Sequence, residues 1–191
     1  MPQPTEDGAM SLEQSLAGRR SVRSYTDETL TLDEISQLMW AAQGRTEQEG
    51  AGRAAPSAGG TYPLELYVVT PDGVYHYVPD GHLLEVVHGG DLRAPLAEAA
   101  LDQQWVAIAP IVVVVTAIFA RTEQRYGERA ERYVHLEAGH AAQNILLQAV
   151  ALDLGAVPVG AFRDEQVQEV LGIPDDREPL YLIPVGRPLG P

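Results

Sequence analysis

Ile108-Ala109-Pro110-Ile111-Val112-Val113-Val114-Val115-Thr116-Ala117-Ile118-Phe119 is the stretch on which the fold turns. Four consecutive valines are stiff at χ1 and fit an extended backbone. A strand with one wet face alternates apolar and polar residues, whereas this run has no alternation, so both of its faces are covered. It is therefore expected as the central strand of a sheet with a layer packed on each side. The wider apolar run, Trp105 to Ala120, contains Pro110 and Thr116 and falls short of the ~20 residues that span a bilayer. No membrane span is expected.

Reading outward toward the N-terminus, Leu64 to Thr70, a Pro71-Asp72-Gly73 turn, Val74 to Val78 and Leu83 to Val87 form a β region whose first two members can pair as a hairpin. Gly44 to Gly60 has loop composition. Thr31 with Glu34 three residues on is a capping box, and it opens a helix over Leu32 to Gln43. A shorter helical pattern ends near Arg19. In the other direction, Arg121 to Arg132 is a charged, solvated helical start. Ala138, Ala141, Ala142, Ile145, Leu146, Ala149 and Val150 then line one face of a long amphipathic helix that stops before Gly155. A short strand or turn over Ala156 to Phe162, a helix capped by Asp164 and running to Leu171, and a last strand over Leu180 to Val185 complete the chain. Strands and helices mix without strict alternation, so the class is α+β. At 191 residues the chain fits one domain, residues 1–191.

The composition removes whole classes of chemistry. All 13 basic residues are arginine and cysteine is absent, which excludes Schiff bases, a lysine general base, thiolate nucleophiles and thiolate metal sites. The formal charge of −14 argues against nucleic acid or an anionic membrane as partner. Met1 to Gly8 is polar and acidic, unlike a signal peptide, so a cytoplasmic protein is expected.

Arg19-Arg20-Ser21-Val22-Arg23 concentrates three of the basic residues in five positions. Guanidinium forks match phosphate oxygens in pairs, and the same cluster would also serve as a solvated surface patch. Gly50-Ala51-Gly52-Arg53-Ala54-Ala55 fits a dinucleotide fingerprint by letter, but no strand precedes it and Pro56 follows, so a Rossmann reading fails. Glu137 and His140 stand at the spacing of di-iron helices, yet a second pair is missing. A polar helix face of His140, Gln143 and Asn144 at a subunit contact is the better reading. Ser57 lacks a nucleophile elbow.

Taken in order, R-R-S-V-R, P-S-A-G-G-T-Y-P (56–63), A-P-I-V-V-V-V (109–115), E-A-G-H-A-A-Q-N (137–144), A-V-P-V-G-A-F (156–162), L-G-I-P (171–174) and P-V-G-R-P (184–188) resemble the FMN-dependent nitroreductase family, and more closely its branch related to the thiazole- and oxazole-forming (SagB/ThcOx-type) dehydrogenases. The resemblance implies a mostly antiparallel central sheet flanked by helices, an intertwined homodimer, and FMN bound in the interface. It implies that Arg19, Arg20, Ser21 and Arg23 hold the phosphate with Arg187, and that Gln103 reaches the flavin edge or ribityl chain, with Gln104 as the neighbouring choice. Pro158, Val159 and Gly160 would line the ring, and Pro56, Ser57, Ala58 and Gly59 would arrive from the other subunit. Trp40, Met39 and the apolar side of the 138–150 helix are the expected buried contacts of that dimer. Gly60 stands where many members carry asparagine.

The activity so implied is ping-pong hydride transfer from NAD(P)H to a small oxidised acceptor, a quinone or nitroaromatic. The flavin carries that chemistry, so no protein residue need act as catalyst. Two other functions are compatible with the resemblance: an azoline-type peptide dehydrogenase, and a poorly active flavin-binding accessory subunit. The azoline branch relies on a lysine–tyrosine pair, and this chain has no lysine.

Overall fold

Val112 to Val115 occupy the middle of a sheet in the computed structural model, which describes residues 1–46 and 52–190. The strands are β1 (Leu64–Thr70), β2 (Gly73–Val78), β3 (Leu83–Gly89), β4 (Ile111–Ala117), β5 (Gly155–Ala156) and β6 (Glu178–Gly186). They lie in the order β3-β2-β1-β4-β6-β5, and every pairing is antiparallel. The helices are α1 (Leu12–Gly18), α2 (Leu32–Gln43), α3 (Arg93–Ala99), α4 (Gln104–Ile108), α5 (Ala120–Tyr126), α6 (Ala130–Ala151) and α7 (Asp164–Leu171).

The pleat of β4 divides its buried side chains between two cores. Ile111, Val113, Val115 and Ala117 join Leu66 and Ile183 under α2 and α6, where Leu38, Met39, Ala138 and Ile145 pack against them. Val112 and Val114 join Tyr67 and Leu182 on the opposite face, under Leu96, Val106, Val167 and Leu171 of α3, α4 and α7. Each fully buried valine contributes about 1.5–3 kcal/mol of transfer free energy. A polar residue anywhere in this run would thus cost one core or the other.

The expected α+β class, the central strand, the hairpin and the helix over Leu32–Gln43 are all present. The Thr31 hydroxyl accepts from the Glu34 N–H at 3.2 Å while the Glu34 carboxylate accepts from the Thr31 N–H at 2.7 Å, closing the capping box that starts α2.

Several boundaries differ from expectation. β4 begins at Ile111 because Pro110 lacks an N–H for the ladder and residues 104–108 coil into α4. The charged segment is two helices, broken where Gly127 takes φ 53°. The N-cap of α7 is Arg163, with Asp164 inside its first turn. α3 was not legible because Pro95 interrupts its pattern, though proline is tolerated in a first turn. Met39 is fully buried against the sheet, so it cannot serve a subunit contact, and the apolar side of α6 is likewise spent inside the chain. Asn144 is also used internally, its side-chain amide donating to Ala41 O at 3.0 Å. Gly50 and Ala51 of the formal dinucleotide fingerprint lie outside the described residues.

Candidate functional site

Gly155 of β5 and Gly186 of β6 are cross-strand partners, and both need to be glycine. A Cβ at Gly155 would stand 2.7 Å from Val22, and one at Gly186 would stand 2.5 Å from the Pro110 ring and 2.9 Å from Tyr25. This side-chain-free pair lets the segment after α1 lie against the sheet edge. Ser21 bridges Ala156 in parallel fashion, and the Val22 N–H donates to Ala156 O at 3.1 Å. Thr26 N–H donates to Arg187 O at 2.9 Å, and Leu189 N–H to Ser24 O at 3.1 Å. Backbone hydrogen bonds therefore carry Arg19–Arg23 and Arg187, from opposite ends of the sequence, to one sheet edge.

The segment after β5 continues along β6, with Val159 and Leu182 exchanging backbone bonds of 2.8 and 3.0 Å. Gly160 that follows is exposed, and a Cβ there would meet only the Tyr181 ring, at 3.9 Å. Gln103 ties this segment to the α3–α4 turn, because its side-chain amide donates to Ala100 O and Ala161 O, both at 2.8 Å. Gln104 is exposed and its amide donates to Asp102 O. Trp105, visible in the sequence only as part of an apolar run, lies under Arg23 with the guanidinium 5.4 Å from the ring centroid. Its indole N–H is buried without a hydrogen-bond partner.

The charges at this edge are unevenly used. Among the described residues no carboxylate pairs with Arg19 or Arg23. Arg20 donates only to the backbone oxygens of Ala17 and Arg19, at 2.8 Å each. Arg187 is engaged, its Nε 2.6 Å from Glu28 and its Nη2 2.9 Å from Glu34. Both carboxylates raise the Arg187 pKa. Burial pushes the Glu34 carboxyl up, but the Thr31 N–H and Arg187 outweigh it and hold its pKa below the ordinary value.

Pro56, Ser57, Ala58 and Gly59 lie elsewhere. Leu64 pairs with Ala117, so the loop before β1 sits at the end of β4 opposite to Ile111, while Gly186 and Arg187 sit at the Ile111 end. Val159 lies beyond β6, three strand spacings from β1, or about 14 Å. Within one chain the structure brings together Arg19–Arg23, Gln103, Pro158–Gly160 and Arg187, and leaves Pro56–Gly59 apart. The loop is nonetheless well anchored. Ser57 Oγ accepts the Tyr62 N–H at 2.9 Å, Arg125 donates to Gly59 O at 2.9 Å, and Gly59 takes φ 61°, a conformation that favours glycine.

Beneath the loop is a polar cluster that the sequence reading missed. Glu137 of α6 and Gln43 of α2 are 2% and 1% exposed, and Arg53 donates to Gln43 Oε1 at 3.0 Å while lying 4.4 Å from the Tyr62 ring centroid. The available signal was positional. Glu137 is three residues after Val134 and four before Ala141, on the apolar face of its helix.

A model described as the nitroreductase family matches residues 16–187. The chain belongs to the nitroreductase family. It is 47% identical over 184 residues, covering 93% of this chain and 91% of the relative, to a protein of Methanocaldococcus jannaschii named as a nitroreductase. A nitroreductase structure from Ralstonia eutropha superposes with a TM-score of 0.90 at 32% identity, covering all of this chain and 89% of the other. More distant relatives are the trifolitoxin operon protein TfxC of Rhizobium leguminosarum, 27% identical over 90% of this chain, and an FMN reductase [NAD(P)H] of Bacillus subtilis, 26% identical over 91%. The chain spans 54% and 64% of the lengths of these two. The similarity to TfxC agrees with the branch that the motifs resemble. No helix among the described residues is long and apolar enough to cross a membrane.

Proposed function

We propose that this nitroreductase-family chain is a single FMN-binding domain, residues 1–191, that oxidises NAD(P)H and reduces a small oxidised acceptor such as a quinone or nitroaromatic in ping-pong fashion. The observation that carries the reading is the gathering of Arg19, Ser21 and Arg23, without carboxylate partners, beside Gln103, Trp105 and the open backbone at Gly160. The similarity to an FMN reductase supports it independently.

The residues present fit FMN. Arg19 and Arg23 can form charge-assisted bonds to a terminal phosphate, and the Ser21 hydroxyl and Arg20 can add donors. Arg187 keeps Nη1 for an acceptor while Glu28 and Glu34 hold its other nitrogens. The buried Trp105 N–H is a donor in want of an acceptor, which a bound polar ligand would supply. Pro158 and the exposed backbone at Gly160 can face a flat ring, while Val159 between them is buried with its N–H and C=O bonded to Leu182 and holds the segment in place. When bound, FMN supplies the two-electron chemistry, accepting hydride from NAD(P)H and delivering it to the acceptor. The chain's own work is then to bind, orient and exclude water.

A homodimer follows from the same reading. If Pro56–Gly59 touch the flavin that Pro158–Gly160 line, the separation within one chain requires that the loop come from a second copy. The experiment is an absorption spectrum of the purified protein, followed by anaerobic addition of NADH and then NADPH. Bleaching of a flavin band by either nucleotide supports the proposal. A protein that takes up no FMN on reconstitution refutes it.

The similarity to TfxC favours a second reading, azoline dehydrogenation within a peptide-modifying assembly. Arginine cannot replace the missing lysine as a base because it stays protonated. The isolated protein is therefore expected to leave azoline rings unoxidised. An FMN-dependent loss of two mass units per ring would reverse the order of the two readings.

A further inference from the structure

Glu137 has no part in the function proposed above, yet it lies directly beneath the loop assigned to the flavin. Its side chain is buried, and its Oε1 has no hydrogen-bond partner. An acid at a core position of a helix is costly unless it does something that an apolar residue could not. Its neighbours indicate what that is. The Ser57 hydroxyl stands beside the carboxyl and favours its charged form, as do the Arg53 charge and the Gln43 amide. Gln43 Nε2 influences the carboxyl without completing a hydrogen bond, so this donor and Oε1 both remain unpaired.

Ser57 is the link to the loop. Its Oγ accepts the Tyr62 N–H at 2.9 Å, and Gly60 N–H donates to Ser57 O at 3.1 Å, so one residue closes the 57–62 turn from both sides. Arg53, stacked on Tyr62 and bonded to Gln43, holds the far end of the same turn. From this geometry we propose that Glu137 is a positioning residue which, in its ionised form, holds Ser57 and thereby fixes the Pro56–Gly59 loop in the shape that contacts flavin. This inference rests on the function proposed above.

The groups facing Glu137 are few among the described residues. Gln43 comes from α2, and Arg53 and Ser57 from the segment before β1. Arg53 is the one full charge, and it also feels Asp80, Tyr62 and Glu65. Burial raises the Glu137 pKa to about 7 against the pull of Ser57, Arg53 and Gln43. The carboxyl thus changes charge within the range where the protein can be assayed.

The test is FMN affinity, measured by fluorescence titration of the apoprotein from about pH 5.5 to about pH 8.5, for the parent, Glu137→Gln and Ser57→Ala, with flavin-free thermal unfolding of each. The parent should bind FMN about tenfold more tightly above pH 7 than below, the change produced when binding moves one pKa by a single unit. Glu137→Gln should lose this step and bind weakly at every pH, while unfolding at a higher temperature than the parent at pH 8. Ser57→Ala should also lose the step although its carboxyl is intact, which covers a failure of the first variant to fold. A parent that binds FMN, with the same pH step in both variants, overturns this inference and leaves the proposed function standing. A parent that binds no FMN at any pH overturns the proposed function first, and the inference with it.

Discussion

At the Ile111 end of β4, cations stand exposed on a backbone that the sheet edge holds rigid; at the Ala117 end, an acid is buried beneath a loop that small residues and side-chain bonds hold in place. Among the described residues no carboxylate pairs with exposed Arg23 or half-buried Arg19, so their charge keeps contact with water and costs little until a ligand arrives. Glu137 is enclosed, so its charge costs stability whenever the carboxyl is ionised. The first region is suited to binding an anion and the second to holding a conformation. Mutations at the two ends should then move different observables.

The largest effect is expected from Gly186→Ala. The added methyl meets the Pro110 ring at 2.5 Å and Tyr25 at 2.9 Å, and neither can rotate away cheaply. The variant should lose about 3 kcal/mol of stability, the upper range for overpacking, and should lose FMN binding as the 21–25 segment lifts from the edge. Denaturant unfolding of the flavin-free protein measures the first effect. Unchanged stability would mean that the sheet edge yields to the methyl without cost.

At the other end the sign reverses. Burial raises the Glu137 pKa from an ordinary 4.5 to about 7, so between these values the folded chain holds a proton that the unfolded chain has released. Stability conferred by that proton is complete below about pH 4.5, falls as pH rises toward about 7, and is gone above it. The gap corresponds to about 3 kcal/mol at most, and Glu137→Gln should remove the dependence. Relative to the parent, the variant should be unchanged in acid and more stable at pH 8. A parent and variant with parallel pH–stability curves would mean that Glu137 is already ionised in the fold.

Arg19→Ala and Arg23→Ala should each weaken FMN binding by roughly 1.5–3 kcal/mol, the range for charge-assisted hydrogen bonds, with little change in unfolding. Arg23→Ala also removes the contact over Trp105, so it should shift the intrinsic tryptophan emission while Arg19→Ala does not. Equal FMN affinity in both variants would move the phosphate site away from this edge.

How far the sequence could be read differs between the two ends. β4 was legible because four valines need two covered faces, and α2 because Thr31 and Glu34 announce its start. The cation cluster was visible as local spacing, although its company was not. Only long-range pairing of Ser21 with Ala156, and of Thr26 with Arg187, could bring Trp105 and Gly160 beside it. The acid end was harder, since Glu137 sits in a motif that invites a metal reading with His140. The helix buries Glu137 and leaves His140 exposed, and that division depends on where the sheet packs against α6. Pro95 hid α3 for a similar reason, because a proline marks a break unless its place in the first turn is known.

The smallest expected effect bears on Arg187, which belongs to the cation end by position but to neither pattern by its partners. Glu28 and Glu34 both hold its guanidinium, and they differ in what else they do. Glu34 caps α2, so its removal would disturb a helix as well as an ion pair. Glu28 carries the cleaner test, because its side chain is 60% exposed and serves no cap. If Arg187 is a phosphate ligand, Glu28 competes with the phosphate for the same fork, and Glu28→Gln should tighten FMN binding by about 0.2–1 kcal/mol, the worth of an exposed ion pair. If Arg187 is instead a strut between the C-terminal strand and α2, Glu28→Gln should leave affinity unchanged and lower stability by a similar small amount. Salt separates the two further. Competition by an exposed carboxylate is screened at high ionic strength, so the gain in the variant should shrink between about 0.05 and about 0.5 M salt. A loss of affinity in Glu28→Gln would contradict both roles and would make the carboxylate itself part of the flavin site.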